Sequence, residues 1–175
     1  MQVDLEDYLK IHFKELSYRT EEVDPKILEI LDSLCQDYST KIIDVGCGHN
    51  LYKEYYNKIV GLDIAGHGAD IVSSIQNATI EEDSFDIALC LGVYHGSFDH
   101  VRNDIEKIAS WVKPNGYIIS RAKGIPTPYK IDIDCHYFNS DIIKNYTKYF
   151  NFTLLDNYTK IVKEKYFWVW KKNEY

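Results

Sequence analysis

At 175 residues the chain is long enough to bury one core without disulfide or metal staples. A composition of 45% hydrophobic and 27% charged residues belongs to a soluble globular protein rather than a disordered or fibrous one. The formal net charge of −7 argues against non-specific nucleic-acid binding, which calls for a basic face. Lys160, Lys163, Lys165, Lys171 and Lys172 cluster late in the chain and read as a solvated hairpin.

The four cysteines (Cys35, Cys47, Cys90, Cys135) form no C-x-x-C pair and have no histidine at metal spacing, so reduced thiols in a cytoplasmic setting are expected. No apolar run reaches bilayer length, and the charged stretch from Met1 to Lys14 has no signal-peptide core. One domain is expected over residues 1–175, with helices in 1–36 preceding a core in 41–172.

Leu5, Tyr8, Leu9, His12, Phe13 and Leu16 recur at helical spacing behind an acidic first turn of Asp4, Glu6 and Asp7. Asp24-Pro25 starts a second helix, with Ile27, Leu28, Leu31, Leu34 and Cys35 as its stripe. Ile42 to Val45 reads as a buried strand, and Gly46-Cys47-Gly48 forces a sharp turn after it. Leu51 to Tyr56 has room only for a short helix before the strand Lys58–Asp63. The connection Ile64–Ala69 is too short for a helical crossover, so Asp70–Val72 is expected to be a stub or irregular edge.

Phe85 to Leu91 is a continuous apolar run, as in a strand buried on both faces. Phe98, Val101, Ile105, Ile108 and Val112 predict a core-facing helix stopped by Lys113-Pro114-Asn115-Gly116, with Tyr117–Ser120 as the next strand. Residues 121–139, with Pro126 and Pro128, read as a loop. Ile142, Ile143, Tyr146, Tyr149 and Phe150 mark a helix begun by Asn139, Ser140 or Asp141. Strands around Phe152–Tyr158 and Tyr166–Trp170 close the chain as an antiparallel pair. The whole is an open α/β sheet with helices on both faces and one antiparallel hairpin strand.

A strand, a Gly-x-Gly turn and a helix let backbone N–H groups approach a ligand with no Cβ in the way. Asp63, ending the next strand, stands where nucleotide-binding α/β folds keep a carboxylate for ribose hydroxyls. Together they point to an adenosine-containing cofactor.

The motifs resemble those of class I S-adenosylmethionine (SAM)-dependent methyltransferases, close to the small type 11 domains. Ile42–Gly48 is similar to that family's first motif and Val60-Gly61-Leu62-Asp63 to its second. Asp83-Ser84-Phe85-Asp86-Ile87-Ala88-Leu89 resembles the entry to its fourth strand, and Lys113-Pro114-Asn115-Gly116 the turn before its fifth. The resemblance implies a Rossmann-like sheet, SAM as cofactor, and methyl transfer to a small molecule, or to a peptide or nucleotide end. It implies that Asp44, Gly46, Cys47 and Gly48 surround the methionine moiety and that Asp63 accepts the ribose hydroxyls. By the same resemblance Ile64 packs on adenine, Ser74 and Ile75 hold its edge, and Leu91 and Gly92 line the site near the sulfonium. Asn50 replaces a third glycine, and Ser74 a carboxylate that would bond the exocyclic amine. An N-terminal lid is also implied, with Tyr18 over the cofactor and Arg19 pairing with its carboxylate.

Methyl transfer from a sulfonium needs no metal, and positioning supplies much of its acceleration. His95 on the loop after the fourth strand is a candidate general base, or a wall of the pocket. Tyr94 is a substrate wall or a core-edge aromatic. His136, with Tyr129 and Tyr137, is a second substrate-side candidate or a surface histidine. Cys47 reads as a turn filler rather than a nucleophile. The segment Leu91-Gly92-Val93-Tyr94 lacks the Asn/Asp-Pro-Pro-Tyr signature of base-amine methylation. Two other classes share some of these features. An NAD-dependent oxidoreductase would use the same turn and Asp63, but Leu51 leaves Gly-x-Gly-x-x-Gly incomplete. A catalytically weak or degenerate SAM-binding partner subunit fits the changes at Asn50 and Ser74.

Overall fold

The structure is a computed structural model that describes residues 5–15, 22–35, 37–124, 136–162 and 165–174. Expectations at Tyr18, Arg19, Tyr129, Pro126, Pro128 and Cys135 fall outside these residues.

The strands run in chain order β1 (Ile42–Val45), β2 (Ile59–Asp63), β3 (Ile71–Val72), β4 (Phe85–Leu91), β5 (Val112–Lys123), β6 (Phe152–Leu154), β7 (Lys160–Val162) and β8 (Lys165–Lys172). They form one sheet in the order β3-β2-β1-β4-β5-β8-β6, with β7 also paired to β8. Strands β3, β2, β1, β4 and β5 are parallel, and β8 runs antiparallel to β5, β6 and β7. The strand order reverses between β1 and β4, where open α/β sheets leave a crevice beyond their carboxyl ends.

Alternation along each strand divides the core between the two faces. Ile43, Val45, Ala88, Cys90, Ile118, Trp168 and Trp170 pack under α3 (Phe98–Trp111) and α4 (Ser140–Tyr149). Ile42, Ile59, Ile87, Leu89, Ile119 and Val169 face α2 (Pro25–Leu34) and Tyr52. Helix α2 starts as its sequence dictates, with the Asp24 carboxylate accepting the Lys26 N–H at 3.0 Å and Pro25 in the first turn. For α4, Asn139 is the cap, accepting the Ile142 N–H at 2.8 Å. Helix α1 (Leu5–Glu15) contributes no residue to either core cluster.

The expected stub is present: β3 has only two residues, pairing Leu62 with Ile71 and Asp63 with Val72. Asn50 adopts the left-handed conformation (φ 56°, ψ 44°) ahead of a single 3₁₀ turn, Leu51–Glu54.

Three expectations are corrected. Val112 opens β5 instead of closing α3, and Lys113–Gly116 bulges out between the pairs Phe85–Val112 and Ile87–Tyr117, carried by Asn115 at φ 66°. The segment after α4 yields two short strands, β6 and β7, both on β8, because the turn at Asp156–Tyr158 interrupts it. Lys172 is not part of a solvated hairpin. Its side chain is buried, and Nζ donates to the carbonyls of Ala109 (3.1 Å) and Val112 (2.7 Å) and to Asp83 Oδ1 (2.9 Å).

Candidate active site

A cavity of about 390 Å³ opens at the carboxyl ends of β1, β2 and β4, where the strand order reverses. Val45, Gly46 and Gly48 come to it from the turn after β1, Leu62, Asp63 and Ile64 from β2, and Leu91, Gly92 and Val93 from β4. The Ser73–Gln76 segment closes one end, and Leu5, Glu6, Leu9 and Phe13 of α1 form a wall across it.

The turn after β1 requires glycine on two grounds. Gly46 and Gly48 have φ of 68° and 52°, and a Cβ on Gly46 would lie 2.3 Å from Val93 Cγ1. Backbone atoms therefore reach the cavity wall unshielded. Asp63 is buried and ties this turn to β2, Oδ2 accepting the Gly48 N–H at 3.0 Å and Oδ1 the Ala65 N–H at 2.7 Å. A carboxylate has about four acceptor positions, so roughly two are left to receive a diol from the cavity.

The change at Asn50 lies behind the cavity, not in it. Asn50 Nδ2 donates to Gly68 O at 3.3 Å and Asp70 Oδ2 at 3.2 Å, fastening the turn to the β2–β3 connection. Asp70 also accepts the Gly61 N–H at 2.9 Å and pairs with Lys53, the interaction that does most to hold its carboxyl below the usual range. Gly61 makes the room: a Cβ there would come within 2.5 Å of Asn50 Nδ2 and 2.7 Å of Cys47 Sγ. Asn50 thus does what a third glycine does for the backbone, and adds a side-chain tether.

Of the residues singled out in the sequence, Gly46, Gly48, Asp63, Ile64, Ser74, Ile75, Leu91, Gly92 and His95 line the cavity. Asp44 and Cys47, expected around the methionine moiety, are not among the lining residues: Asp44 is buried within β1, and Cys47 Sγ turns toward Gly61 of β2. Burial, with Asp44, Asp63 and Asp70 nearby, pushes the Cys47 thiol well up, which removes it as a nucleophile at neutral pH. Tyr94 points the other way: its ring is buried against Phe138 and Trp168, with its hydroxyl 2.9 Å from Ser120 Oγ, so it is a core aromatic. His136 packs edge-on to Phe98 and Phe138, and neither it nor Tyr137 reaches the cavity. Ser74 keeps its hydroxyl partly occupied by the Asn77 N–H at 3.3 Å.

His95 faces the cavity with Phe13 of α1 against it, ring centroids 5.4 Å apart. Burial lowers its pKa to about 4, only partly offset by the Gly92 backbone. The imidazole is therefore neutral above about pH 5. Its Cε1–H resonance should titrate below pH 5, and Phe13→Ala, by admitting water, should move that midpoint up toward ~6.5. A wild-type midpoint near 6.5 would show that the ring is not desolvated.

Sequence reasoning missed Glu6, Gln76, His100 and Asp104, which also line the cavity. Glu6 receives the Asn77 amide at 3.0 Å and Asp104 the Gln76 amide at 2.8 Å. The i, i+4 spacing of His100 and Asp104 on α3 was the available signal, since it puts both on one stripe.

The methyltransferase-domain family matches residues 16–157, and the chain belongs to it. No curated protein matches the sequence. Among solved structures, the chain is similar to 1,6-didemethyltoxoflavin-N1-methyltransferase of Burkholderia thailandensis with bound 1,6-didemethyltoxoflavin and S-adenosylhomocysteine (15% identity, 86% of this chain and 77% of that one, TM-score 0.64). It is similar also to a SAM-dependent methyltransferase of Methanosarcina mazei (13% identity, 89% and 100%, TM-score 0.67). A third likeness is to the Haloferax volcanii complex containing the Trm112 methyltransferase activator (11% identity, 85% and 89%, TM-score 0.67). At these identities the likenesses establish the fold, which is the Rossmann-like methyltransferase sheet expected from the motifs. By family the protein carries a methyltransferase domain, on a fold it shares with SAM-dependent methyltransferases, and neither the oxidoreductase nor the non-catalytic partner is favoured. Among the described residues no helix is long and apolar enough to cross a membrane.

Proposed function

We propose that the cavity binds SAM along its length and that the chain transfers the methyl group to a small neutral or amine-bearing molecule. The observation that carries this reading is the Asp63 carboxylate, fixed by Gly48 and Ala65 N–H groups with acceptor capacity left toward the cavity. SAM supplies an electrophilic methyl on a sulfonium, open to in-line displacement. The Gly46–Gly48 turn leaves room for the amino-acid end, Asp63 takes the ribose hydroxyls, and Ile64, Ser74 and Ile75 border the adenine. His95, at the α1 side of the cavity, accepts a hydrogen bond from the incoming N–H or O–H. An imidazole of such low basicity orients an acceptor better than it strips a proton. That hydrogen bond is one part of holding acceptor and methyl in line, which as a whole is worth on the order of 7–11 kcal/mol. The wall formed by α1 covers one side of the site.

The charge of the wall selects the acceptor. The ionisable residues facing the cavity include Glu6, Asp63 and Asp104, and no Lys or Arg is among the described residues there. An anionic acceptor would meet like charge. The small substrate of the Burkholderia thailandensis relative supports a small-molecule acceptor, and the Trm112 complex supports, as a second reading, assistance by a partner subunit. Calorimetry of the folded protein should show binding of S-adenosylhomocysteine and none of NAD⁺. Absence of binding by both SAM and its demethylated product would sink the proposal. With labelled SAM, label should pass to amines and neutral acceptors in preference to carboxylates and phosphates.

A further inference from the structure

By the resemblance of the motifs, Ser74 occupies, at the adenine end, the position of a carboxylate that would receive the exocyclic amine, and in this chain its hydroxyl accepts the Asn77 N–H at 3.3 Å. A carboxylate nevertheless faces the same end of the cavity, from another element. Asp104, on α3, lines the cavity, and its Oδ1 accepts the Gln76 side-chain amide at 2.8 Å. Gln76 lies two residues beyond Ser74, so the bond joins Asp104 to the segment that brings Ser74 and Ile75 to the same cavity.

The direction of the ligand follows from its covalent order. In SAM the ribose lies between sulfur and adenine. With the ribose at Asp63 and the amino-acid end at Gly46, beside Val93, the base must extend the other way, past Ile64 to the Ser73–Gln76 segment. We infer that Asp104 is the residue that recognises the adenine amine, a carboxylate supplied by α3 in place of the one missing at position 74. The inference rests on the proposed SAM site.

Three further observations fit. One hydrogen bond from Gln76 leaves Asp104 with most of its acceptor positions open toward the cavity. The other nearby carboxylate, Glu6, has both oxygens within reach of the Asn77 amide, at 3.2 and 3.0 Å. Burial raises the Asp104 pKa to about 6, the mark of a carboxylate short of donors, and leaves it mostly ionised at pH 7.5. An amine donates to that group. A base with a carbonyl in the amine's place brings oxygen against oxygen.

The test compares S-adenosylhomocysteine with S-inosylhomocysteine, which carries the carbonyl, by calorimetry at pH 7.5. The wild-type protein should bind the inosine compound about 10–100-fold more weakly, the span of a hydrogen bond to a charged group. Asp104→Asn should bring the two affinities within about threefold, because an amide can accept from the amine or donate to the carbonyl. Ser74→Ala and Glu6→Gln should each keep the wild-type preference. The readout is a ratio within one protein, so a variant with a smaller folded fraction still reports. If Asp104→Asn keeps the preference, or if Ser74→Ala or Glu6→Gln abolishes it, the assignment to Asp104 is wrong while the cofactor site stands. If the folded wild-type protein binds neither compound, the cofactor site itself is wrong.

Discussion

Asp63→Ala should weaken S-adenosylhomocysteine binding by at least about 100-fold while leaving the protein folded. Two effects act together. The carboxylate would receive both ribose hydroxyls, and hydrogen bonds to a charged group are worth about 1.5–3 kcal/mol each, so losing two costs ~3–6 kcal/mol of affinity. The same side chain holds Gly48 N–H at 3.0 Å, so its removal also frees the glycine turn that borders the amino-acid end. Asp63→Asn is no gentle substitute. Both carboxylate oxygens already face backbone N–H groups, from Gly48 and Ala65, so an amide NH₂ must point at one of them. Calorimetry on the two variants, with circular dichroism to verify folding, decides the matter. Wild-type affinity in Asp63→Ala would remove the ribose from this end of β2.

Lys172→Met should destabilise the fold by about 2–4 kcal/mol, lowering the melting temperature by roughly 5–15 °C. Methionine keeps much of the stem packing but offers no donors. Helix α3 ends in the interior, and its last three carbonyls, with that of Val112 beyond them, have partners outside the helix. Ser110 O takes the Asp83 N–H and Trp111 O the Ser84 N–H, both at 2.9 Å, while Ala109 O and Val112 O depend on Lys172 Nζ. Leaving two buried carbonyls without donors costs ~1–3 kcal/mol each, less where water enters. The ion pair with Asp83 contributes less, because the Asp83 side chain is 52% exposed and the charge is screened. Asp83→Ser should therefore cost under about 1 kcal/mol in urea unfolding. Equal losses in the two variants would shift the credit from carbonyl capping to the ion pair.

These two residues also mark the boundary of what the sequence discloses. Asp63 was legible because a strand, its terminal carboxylate and the preceding glycine turn are local patterns with a local cause. The Asp24-Pro25 start and the β3 stub were legible for the same reason. Lys172 was not, because its partners at positions 83, 109 and 112 come from distant parts of the chain, and a lysine among lysines looks solvated. Tyr94 illustrates the same limit: a residue on the loop after β4 can face cavity or core, and only Ser120, Phe138 and Trp168 decide it. Asp104 stayed hidden for a subtler reason. It precedes Ile105 in a helix whose apolar stripe was read as core, and the margin of such a stripe becomes a pocket wall only when another segment, here Ser73–Gln76, stands opposite.

Helix α1 belongs to neither core cluster and meets the body of the protein over the cavity, through Glu6 with Asn77, Phe13 with His95, and Leu5 with Gly96. In the proposed SAM site these contacts lie over the ligand, and a ligand passing on this side enters or leaves only when they part. In the proposed site, the residence time of the spent cofactor would then depend on how often this helix detaches as well as on how tightly Asp63 holds the ribose. Loosening Glu6 or Phe13 would then quicken exchange at both ends of the catalytic cycle.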